Sequence, residues 1–512
     1  MPLNPNSAKD YVNNYLNKPL ENKVHDYPDF FMKLELNTFR HINNLSLEFK
    51  HPISVISGSN RSGKTTALMA IACSHYNFMR PNVNNGQLER ATWSSVVRFT
   101  SQDIQGHSWS YHVTYRTGNI DHTSAGSKNA NSSKWSGVAK KSGQIGTPTL
   151  AHPNGGRTVI LIDLNRITPS RHLSKSYFNR SRSLPGSPFA NQAKVNDYIS
   201  YILEDNYTIE QIGSAADSKI FKFNTLSHYT SFNTASGEDV LVSILTQVLD
   251  SPSNTLVLID EIEVGLHPKI QRRLMDVLYM ISKEEHKQFI LTSHAYAIID
   301  SVPLESRLFI ETNAAICRNY PGLSTYETLT RMDCKAFPVA SVYVEDDISQ
   351  WIVEKAIEDI VLMIPGFNRL LKIVIIGSAD NTFRYFVTRK SIMDHEPNMS
   401  KPACVLDGDM KLKKDKNGNL LYPEQHNLFF HYSDESPEKM LLRKYLETHH
   451  NPTLQYHLNY SDPHCLLQKM VDQGLCVNKT DAFTRCFNEY KGSVDGATHF
   501  GDLKNFLMGL TQ

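Results

Sequence analysis

The sequence lacks an excess of charge of either sign. It carries 53 lysine and arginine residues against 52 aspartate and glutamate residues, a formal net charge of +1 over 512 residues. Without a net field, the protein as a whole has no long-range attraction for nucleic acid. Any contact with DNA must therefore come from a local patch of basic residues.

Cysteines and long apolar runs are also scarce. The most apolar region, 360–376, is interrupted by Pro365, Gly366 and Arg369, so no segment is long enough to cross a bilayer. The polar N-terminus has no charged-then-apolar signal pattern. The cysteines are scattered, odd in number and free of Cys-x-x-Cys pairs, which argues for reduced thiols and against a zinc site. We therefore expect a cytoplasmic protein without a membrane partner. The seven cysteines are Cys73, Cys317, Cys334, Cys404, Cys465, Cys476 and Cys486.

One stretch, 53–66, carries a complete phosphate-loop pattern. A β-branched run leads into the turn GSNRSGKT, and KTTALMAIA then favours a helix, which places GxxxxGK[ST] in its strand–loop–helix context. Gly58 and Gly63 let successive backbone N–H groups face phosphate oxygens at the positive end of that helix. Lys64 is expected to neutralise the β- and γ-phosphates, and the Thr65 hydroxyl to bind Mg²⁺. The pattern predicts a site for ATP. Its other members are Asn60, Arg61, Ser62 and Thr66.

Two carboxylates follow the apolar strand predicted at 256–259. Asp260 is placed to bind Mg²⁺ beside the phosphate loop, and Glu261 to orient or deprotonate the attacking water. An acidic turn after a buried strand would mean little in isolation. Together with the phosphate loop, it indicates the catalytic side of a nucleotide site.

Two more segments carry residue types that such a site uses. Ser236 and Gly237 open an apolar helix at 240–249, where a serine is a natural N-cap and the helix N-terminus favours phosphate. The strand predicted at 289–292 runs towards His294, which places an imidazole within reach of a γ-phosphate. Each segment alone would be ordinary, and their combination favours one composite nucleotide site.

In order and spacing these four segments resemble the ABC-type ATPases, whose Ser-Gly signature helix contacts the nucleotide of the partner subunit. The stretch 260–268, DEIEVGLHP, resembles the DEPExxLHP form of the SMC/Rad50-like branch, particularly the OLD (overcoming lysogenisation defect) family. Ile262 replaces the usual proline and leaves the carboxylates intact. The resemblance implies ATP-dependent head-to-head dimerisation, in which Ser236 of one protomer completes the nucleotide site of the other. The sequence has no long heptad region, so coiled-coil arms are not expected.

Acidic residues also end the strands predicted beyond position 335. Glu345 follows a strand at 339–344, and Asp407 and Asp409 follow a strand at 403–406. Alternating strand and helix patterns predict a small parallel α/β domain, in which the carboxyl ends of the strands share one edge. Three carboxylates gathered there would repel one another unless a divalent cation joined them. The pattern therefore predicts a Mg²⁺ or Mn²⁺ site.

The segment SDESPE at 433–438 opens another helix and could add a ligand to this metal site. Glu438 is the better candidate and Glu435 the second. Two ions held in this way could clamp the attacking and leaving oxygens of a phosphodiester. The basic residues just beyond the aspartate pair, which could meet a DNA backbone, are Lys411, Lys413 and Lys414.

The glutamate and the Asp-x-Asp pair resemble the Toprim domain, and an ABC-type head followed by Toprim is the architecture of OLD-family nucleases. Gabija-type nucleases of bacterial antiphage defence belong there, and some retron effectors share the plan. The family usually has Val-Glu-Gly-x-[ST]-[DE] at the first Toprim strand. Here Asp346 replaces the glycine and Gln350 the last acidic residue. Aspartate tolerates a left-handed turn, and Asp347 could serve a second metal from a different offset.

The sequence thus predicts an α/β protein, with an ABC-type (SMC/Rad50-like) ATPase head and a C-terminal Toprim-like parallel α/β domain. The predicted parts are an N-terminal arm at 1–28, an ATPase domain at 29–335 with a flexible insertion at 117–156, a Toprim-like domain at 336–445 and a C-terminal helical cap at 446–512.

Three hypotheses about function follow. The leading one is an ATP-hydrolysing, Mg²⁺-dependent DNA endonuclease of bacterial antiphage defence, whose ATPase head gates a Toprim cutting site. Its rival is an ATPase scaffold with an inactive Toprim domain that regulates or delivers a separate nuclease or toxin, as the Septu ATPase works with an HNH nuclease. A repair ATPase of the RecF type would explain the head but not the second carboxylate cluster.

The same resemblance sets the expected partners. They are a second copy of the chain, or a higher homo-oligomer formed through the ATPase heads, and a DNA substrate. A partner protein, or a retron reverse transcriptase with its RNA–DNA, is left open by the sequence.

Overall fold

The computed structural model describes residues 3–39, 42–81, 88–97, 108–129, 135–136, 156–164, 170, 175–215, 218–313, 316–333, 338–364, 366–393 and 400–511. The chain divides into two units, Met1–Thr328 and Leu329–Gln512. Each unit has its own sheet and its own cluster of buried apolar side chains.

The first unit combines strands and helices throughout its length. Its described strands are β1 (Asp29–Phe39), β2 (Ile42–Glu48), β3 (Ile53–Gly58), β4 (Asn77–Pro81), β5 (Leu88–Arg90), β6 (Trp109–Thr117), β7 (Ile120–Lys128), β8 (Trp135–Ser136), β9 (Thr158–Ile162), β10 (Thr208–Ala215), β11 (Ser218–Asn224), β12 (His228–Thr230), β13 (Leu256–Ile259), β14 (Gln288–Thr292), β15 (Arg307–Asn313) and β16 (Ile316–Pro321). Its described helices are α1 (Pro5–Asn13), α2 (Leu20–Asp26), α3 (Lys64–Cys73), α4 (Trp93–Val96), α5 (Lys175–Ser181), α6 (Gln192–Leu203), α7 (Ser236–Asp250), α8 (Pro268–Glu285) and α9 (Tyr296–Asp300). A further helix, α10 (Thr325–Asp333), spans the boundary between the two units.

The largest sheet of the first unit carries the predicted phosphate loop. Its eight strands lie in the order β16-β15-β3-β14-β13-β9-β4-β5. The six central strands are parallel, and the edge strands β16 and β5 are antiparallel to their neighbours. Every residue of β3, β13 and β14 is buried, as expected of central parallel strands covered on both faces. These buried strands place their carboxyl ends at one edge of the sheet.

Two antiparallel sheets complete the first unit. One has the order β2-β1-β6-β7-β8, and the other the order β10-β11-β12. The alternation of apolar and polar residues over 31–49 predicts two antiparallel strands, and β1 and β2 do pair in this way. Irregularities in the pairing of β1 with β6 interrupt the alternation of its buried residues. Both strands contribute to the apolar cluster that also contains α3 and the central strands.

The N-terminal residues form two short helices, α1 and α2, rather than an extended arm. Helix α1 packs against α8. Tyr27, just after α2, is buried, and its hydroxyl lies 2.8 Å from the Ser282 hydroxyl on α8. The helices therefore belong to the packing of the first unit.

The sequence misassigns three segments of this unit. The alternating residues of 93–100 predict a strand, but Trp93–Val96 form α4, and 98–100 lie outside the described residues. The pattern of 190–213 predicts a helix over the whole segment, but α6 ends at Leu203 and β10 follows. The prediction of a flexible insertion at 117–156 is wrong over β7, because this strand pairs with β6 along its whole length. Most of the rest of that insertion lies outside the described residues.

The second unit contains the small parallel α/β sheet that the sequence predicts. Its strands are β17 (Ala340–Val344), β18 (Leu371–Ile375), β19 (Lys401–Leu406) and β20 (Leu428–Phe430). They lie in the order β18-β17-β19-β20, and all three pairings are parallel. Residues of β17, β19 and the helix α12 (Ala379–Met393) share a buried cluster that includes Tyr343, Phe386 and Leu406.

Helices make up the remainder of the second unit. They are α11 (Asp347–Met363), α13 (Pro437–Thr448), α14 (Pro452–Tyr460), α15 (Leu466–Asp472), α16 (Lys479–Gly492) and α17 (Val494–Gly509). Helix α16 packs against α13, and α17 packs against α11. Among the described helices of the chain, none combines the length and the hydropathy needed to cross a membrane.

Gly126→Ala is expected to lower the free energy of unfolding by about 1–3 kcal/mol, the usual cost of forcing an extra methyl group into a packed site. Gly126 on β7 lies opposite Tyr111 on β6, and a Cβ there would collide with the buried tyrosine ring. Urea-induced unfolding measures the change. The matched control is Gly492→Ala, whose added methyl group meets no atom within 4 Å. Equal unfolding midpoints for the two variants would contradict the packing of Tyr111 over β7.

Candidate nucleotide site and acidic cleft

The phosphate loop joins the end of β3 to the start of α3. Gly58 has φ of +148°, and a Cβ there would collide with the Ile310 carbonyl oxygen of the neighbouring strand β15. Gly63, the N-cap of α3, has φ of +104°. Both positions therefore require glycine, because other residues rarely adopt this backbone conformation. Asn60 and Arg61 are exposed at the tip of the loop, so they are accessible to a ligand.

The side chain of Lys64 folds back onto the loop. Its ammonium group donates hydrogen bonds to the carbonyl oxygens of Gly58 at 2.9 Å and Ser59 at 3.0 Å. Burial lowers the pKa of Lys64, and the charges of Asp260 and Glu261 partly oppose this effect. A buried ammonium group held by neutral carbonyls gains much from an anionic partner. Phosphate oxygens would supply that partner.

Asp260 lies at the centre of a hydrogen-bond network between three elements. One carboxylate oxygen accepts from the Thr65 hydroxyl at 2.9 Å, and the other from the Thr292 hydroxyl at 2.6 Å. The same Thr292 oxygen accepts from the backbone N–H of Glu261 at 2.8 Å. The structure thus brings together the two predicted Mg²⁺ ligands, Thr65 and Asp260, and fixes the carboxylate in one orientation. The residue types and their separation fit a hard cation.

Glu261 and His294 lie beside this network. Glu261 has φ of +50°, and burial, followed by the charges of Asp260 and Glu263, raises its pKa. The backbone N–H of His294 donates to the Glu263 carboxylate at 2.6 Å. Burial lowers the pKa of His294, with a further contribution from the charge of Lys64. Its Nε2 atom is buried and has no hydrogen-bond partner among the described residues, which leaves it available to a ligand.

The Ser-Gly pair at the start of α7 differs from the prediction in one respect. Ala235 occupies the N-cap position, so Ser236 is the first helical residue and does not cap the helix. The prediction of a serine cap is therefore wrong. Gly237 lies so close to Gly265 that a Cβ would stand 2.7 Å from the Gly265 carbonyl oxygen. Contact of Ser236 and Gly237 with the nucleotide of a partner stays a prediction.

Two of the predicted carboxylates of the second unit meet at the ends of adjacent strands. Glu345 follows β17, and its carboxylate accepts a 2.8 Å hydrogen bond from the backbone N–H of Asp407, which follows β19. Asp407 accepts a 2.9 Å hydrogen bond from the Ser349 hydroxyl on α11. Gly408, which follows Asp407, has no space for a side chain, because a Cβ would collide with the carbonyl oxygens of His431 and Ser433. Glu345 and Asp407 line a cleft of about 440 Å³.

The electrostatics of this acidic cleft are unfavourable to ionised carboxylates. Burial raises the pKa of both Glu345 and Asp407, and repulsion from neighbouring carboxylates adds to the effect. Burial also raises the pKa of Asp409, which lies on the turn after β19. No lysine or arginine of the described residues forms a salt bridge with any of the three. The charge of Lys413 opposes the raised pKa of Glu345 and Asp409 only in part.

The other acidic residues of this region have separate partners. Asp346 has an extended backbone with φ of −146°, so the left-handed turn considered for it is not formed. Asp347 pairs with Lys479 at 3.3 Å, Gln350 donates to Glu354 at 2.6 Å, and Glu435 accepts from Arg443 at 3.0 Å. Glu438 is buried on the first turn of α13. Asp346 and Glu438 both line the cleft, where each lies close to the imidazole of His464.

Metal-ligand geometry picks out a trio that the sequence did not group together. Among the described histidine, cysteine and acidic residues, Asp346, Glu438 and His464 are the ones whose ligand atoms all lie within 4.8 Å of one another. Joint ligation by Glu345, Asp407 and Asp409 stays a prediction. His464, Thr292 and Glu263 were missed because their partners lie far away in the chain.

The phosphate loop, the strand-end aspartate and the parallel sheet define the first unit as a P-loop ATPase domain. A family model described as "AAA domain, putative AbiEii toxin, Type IV TA system" matches residues 127–300. This range includes Ser236, Asp260, Glu261 and His294 and leaves out the phosphate loop. It covers less than half of the chain.

Solved structures give similarities of low identity. The SMC head domain from Thermotoga maritima is 15% identical with a TM-score of 0.35, and the match covers 57% of this chain and 98% of that one. The Smc head domain from Pyrococcus furiosus, bound to the C-terminal domain of ScpA, is 12% identical with a TM-score of 0.37, covering 57% and 96%. The recombination mediator protein RecF with ATP is 14% identical with a TM-score of 0.34, covering 57% and 98%. No curated protein matches the sequence.

Thr292→Val is expected to lower the rate of ATP hydrolysis by about 10–100-fold, the usual cost of losing a residue that orients a metal ligand. The substitution removes the hydroxyl that holds both the Asp260 carboxylate and the backbone of Glu261. Phosphate release at saturating ATP over a Mg²⁺ titration measures the effect. The matched control is Thr292→Ser, which keeps the hydroxyl and should retain most of the activity. Equal rates for wild type and Thr292→Val would contradict this role.

The raised pKa of Asp407 predicts how the stability of the metal-free chain varies with pH. The unfolded chain releases this proton near the ordinary carboxyl pKa of about 4, before the folded chain does. The contribution of Asp407 to stability is therefore complete below that value and is lost as pH rises towards the folded-state pKa. In chelator, wild type should lose more stability than Asp407→Asn between about pH 5 and about pH 8. Parallel profiles of melting temperature against pH would contradict the burial of an ionisable group at this position.

Proposed function

We propose that this protein is an ATP-hydrolysing, Mg²⁺-dependent DNA endonuclease of bacterial antiphage defence, in which the ATPase unit gates a Toprim-type cutting site. One observation carries the proposal: the second unit buries strand-end carboxylates that form no salt bridge with a lysine or arginine among the described residues. Buried uncompensated carboxylates cost stability, and chains retain them where a divalent cation is used. The resemblance to OLD-family proteins then connects such a site to phosphodiester cleavage.

At the nucleotide site the phosphate loop binds the triphosphate through its backbone N–H groups and Lys64. Thr65 and Asp260 would hold Mg²⁺, which neutralises charge on the β- and γ-phosphates when bound. Glu261 orients or deprotonates the attacking water, and burial raises its pKa, which is the direction that favours a general base. His294 donates or accepts at the γ-phosphate through its Nε2 atom, which is buried and unpaired among the described residues.

At the cutting site Glu345, Asp407, Asp409 and Glu438 would hold Mg²⁺ or Mn²⁺. The ions supply an activated water and neutralise the leaving oxygen when bound. The backbone N–H of Asp407 holds the Glu345 carboxylate, and the Ser349 hydroxyl holds the Asp407 carboxylate, so both are oriented before substrate binds. Lys413 lines the same cleft and is placed to meet a backbone phosphate of DNA.

The assembly belongs to the same proposal. Two or more copies associate through their ATPase units in the presence of ATP, and Ser236 and Gly237 of each copy contact the nucleotide of the other. The protein acts in the cytoplasm on DNA, alone or with a partner protein such as a retron reverse transcriptase carrying its RNA–DNA. The resemblance supports these statements.

A second candidate is an ATPase scaffold whose Toprim-like domain does not cut. The observation that favours it is the position of Gln350, which bonds to Glu354 on its own helix instead of supplying the last acidic residue of the family pattern. In that case the protein would regulate or deliver a separate nuclease or toxin.

Cleavage of supercoiled plasmid in Mg²⁺ or Mn²⁺ separates the two candidates. Wild type should cut, and Asp407→Ala should lose cutting because it removes a buried ligand while leaving the ATPase unit unchanged. Lys64→Ala should lose ATP hydrolysis and alter the dependence of cutting on ATP. The matched control is Asp472→Ala, which removes an exposed carboxylate paired only at the surface.

Two outcomes would contradict the proposal. Equal cutting by wild type and Asp407→Ala would place the cutting site elsewhere. No cutting by wild type with either metal, with ATP hydrolysis intact, would favour the scaffold.

A further inference from the structure

We propose that Asp346, Glu438 and His464 form a binding site for a divalent transition-metal ion, with one imidazole nitrogen and two carboxylates as ligands. The site lies at one side of the acidic cleft and takes Glu438 out of the predicted Mg²⁺ set. The proposal stands on the geometry of these three side chains and does not depend on whether the protein cuts DNA.

The three ligand atoms are close enough for one ion to join them. His464 Nδ1 lies 3.0 Å from a Glu438 oxygen and 4.0 Å from an Asp346 oxygen. All three ligand atoms lie within 4.8 Å of one another. Ligands held at about 2.0–2.2 Å from an ion stand about 3–4 Å apart, so small rotations of the side chains suffice for binding.

Each ligand is oriented by a contact of its own. One oxygen of Asp346 accepts from the backbone N–H of Ser349 and caps α11, which leaves the other oxygen facing His464. The backbone N–H of His464 donates to the Asp462 side chain at 3.0 Å, which fixes the turn that carries the imidazole. Glu438 follows Pro437 on the first turn of α13. Two of the ligands therefore come from the starts of α-helices and the third from a short 3-10 turn with its own side-chain cap, and such fixed positions favour a preorganised site.

Glu438 supplies an observation independent of the clustering. Its side chain is 1% exposed, and its Oε2 atom is buried without a hydrogen-bond partner among the described residues. The same carboxylate lies close enough to Asp407 for its charge to raise the pKa of that residue. A buried carboxylate with an unpaired oxygen and an acidic neighbour is costly unless a cation satisfies it.

The imidazole decides which class of ion the site prefers. Mg²⁺ and Ca²⁺ favour sites built from oxygen atoms alone, whereas Mn²⁺ and, more strongly, Zn²⁺ accept a mixed nitrogen and oxygen set. His464 is 68% exposed, so an ion can enter from solvent without unfolding the chain. A transition-metal site in this place would set the metal preference of the whole cleft.

A protonated His464 held by two carboxylates is the competing explanation of the trio. It predicts the same short distances without any metal. A measurement that detects a bond between the metal and a histidine nitrogen separates the two explanations.

The test loads the full chain, free of nucleotide, with Mn²⁺ and records pulsed electron paramagnetic resonance. Wild type should show modulation from a coordinated ¹⁴N nucleus. His464→Ala should lose that modulation and bind Mn²⁺ about 10–100-fold more weakly, at least the cost of losing a supporting residue of a metal site. Zn²⁺ should displace the bound Mn²⁺, and a large excess of Mg²⁺ should not.

The matched control is His457→Ala, which removes a nearby histidine bonded only to Ser461 and should keep the modulation. Because His464 is mostly exposed, its substitution removes little packing, and the melting temperature of the metal-free variant reports the effect of leaving Glu438 without the imidazole. Absence of ¹⁴N modulation in wild type, or its persistence in His464→Ala, would overturn the site.

The outcome is separable from that of the plasmid experiment. Loss of cutting in Asp407→Ala together with no nitrogen-bound Mn²⁺ would support the nuclease and overturn this site. Nitrogen-bound Mn²⁺ in a wild type that does not cut would support this site and contradict the nuclease.

Discussion

In-register pairing of parallel strands is the constraint on which both candidate sites depend. In the first unit β13 and β14 pair in register, so Asp260 lies beside Thr292 where the two strands end. In the second unit β17 and β19 pair in the same way, and Glu345 reaches the backbone of Asp407. When parallel strands are buried along their length, the polar residues that follow them come together at the carboxyl-end edge of the sheet. The chemistry of each site is therefore a consequence of which residue follows each strand.

The two sites differ in how they compensate the charge that this constraint concentrates. At the nucleotide site Asp260 accepts hydrogen bonds from two hydroxyl groups, and its charge partly offsets the lowering of the pKa of the nearby Lys64 by burial. In the acidic cleft Glu345 and Asp407 receive one backbone and one hydroxyl donor and no salt bridge from a described lysine or arginine. The carboxylate of the nucleotide site therefore has more hydrogen-bond donors within the chain than either buried carboxylate of the cleft.

The sequence predicts those features whose signal is local. The phosphate loop and the strand-end carboxylates are each contained in a few consecutive residues, and the parallel strands of both sheets follow from short buried runs. Strand β7 escaped prediction because its serine, threonine and glycine residues are typical of loops. Pairing with β6 overrides that preference, and the ring of Tyr111 covers the space that Gly126 leaves.

The functional residues that the sequence missed share a different property. Thr292 acts on Asp260 through a contact 32 positions away, and His464 reaches Glu438 across 26 positions. No spacing rule connects such pairs, because the connection is made by sheet order in one case and by helix packing in the other. Ser236 shows that a local signal can also mislead. Serine favours the N-cap position, but in α7 it lies one position inside the helix.

The replacement of glycine by aspartate at position 346 is best understood through these contacts. In the sequence it is a departure from the family pattern, and such a departure supports the hypothesis that the Toprim-like domain is inactive. In the structure Asp346 has ordinary extended geometry, caps α11 with one oxygen and offers the other to His464. That second oxygen lies 4.0 Å from His464 Nδ1, and the same nitrogen lies 3.0 Å from the buried Glu438 carboxylate. The aspartate at position 346 therefore takes part in a specific cluster of polar side chains, which a substitution that merely avoided a clash would not explain.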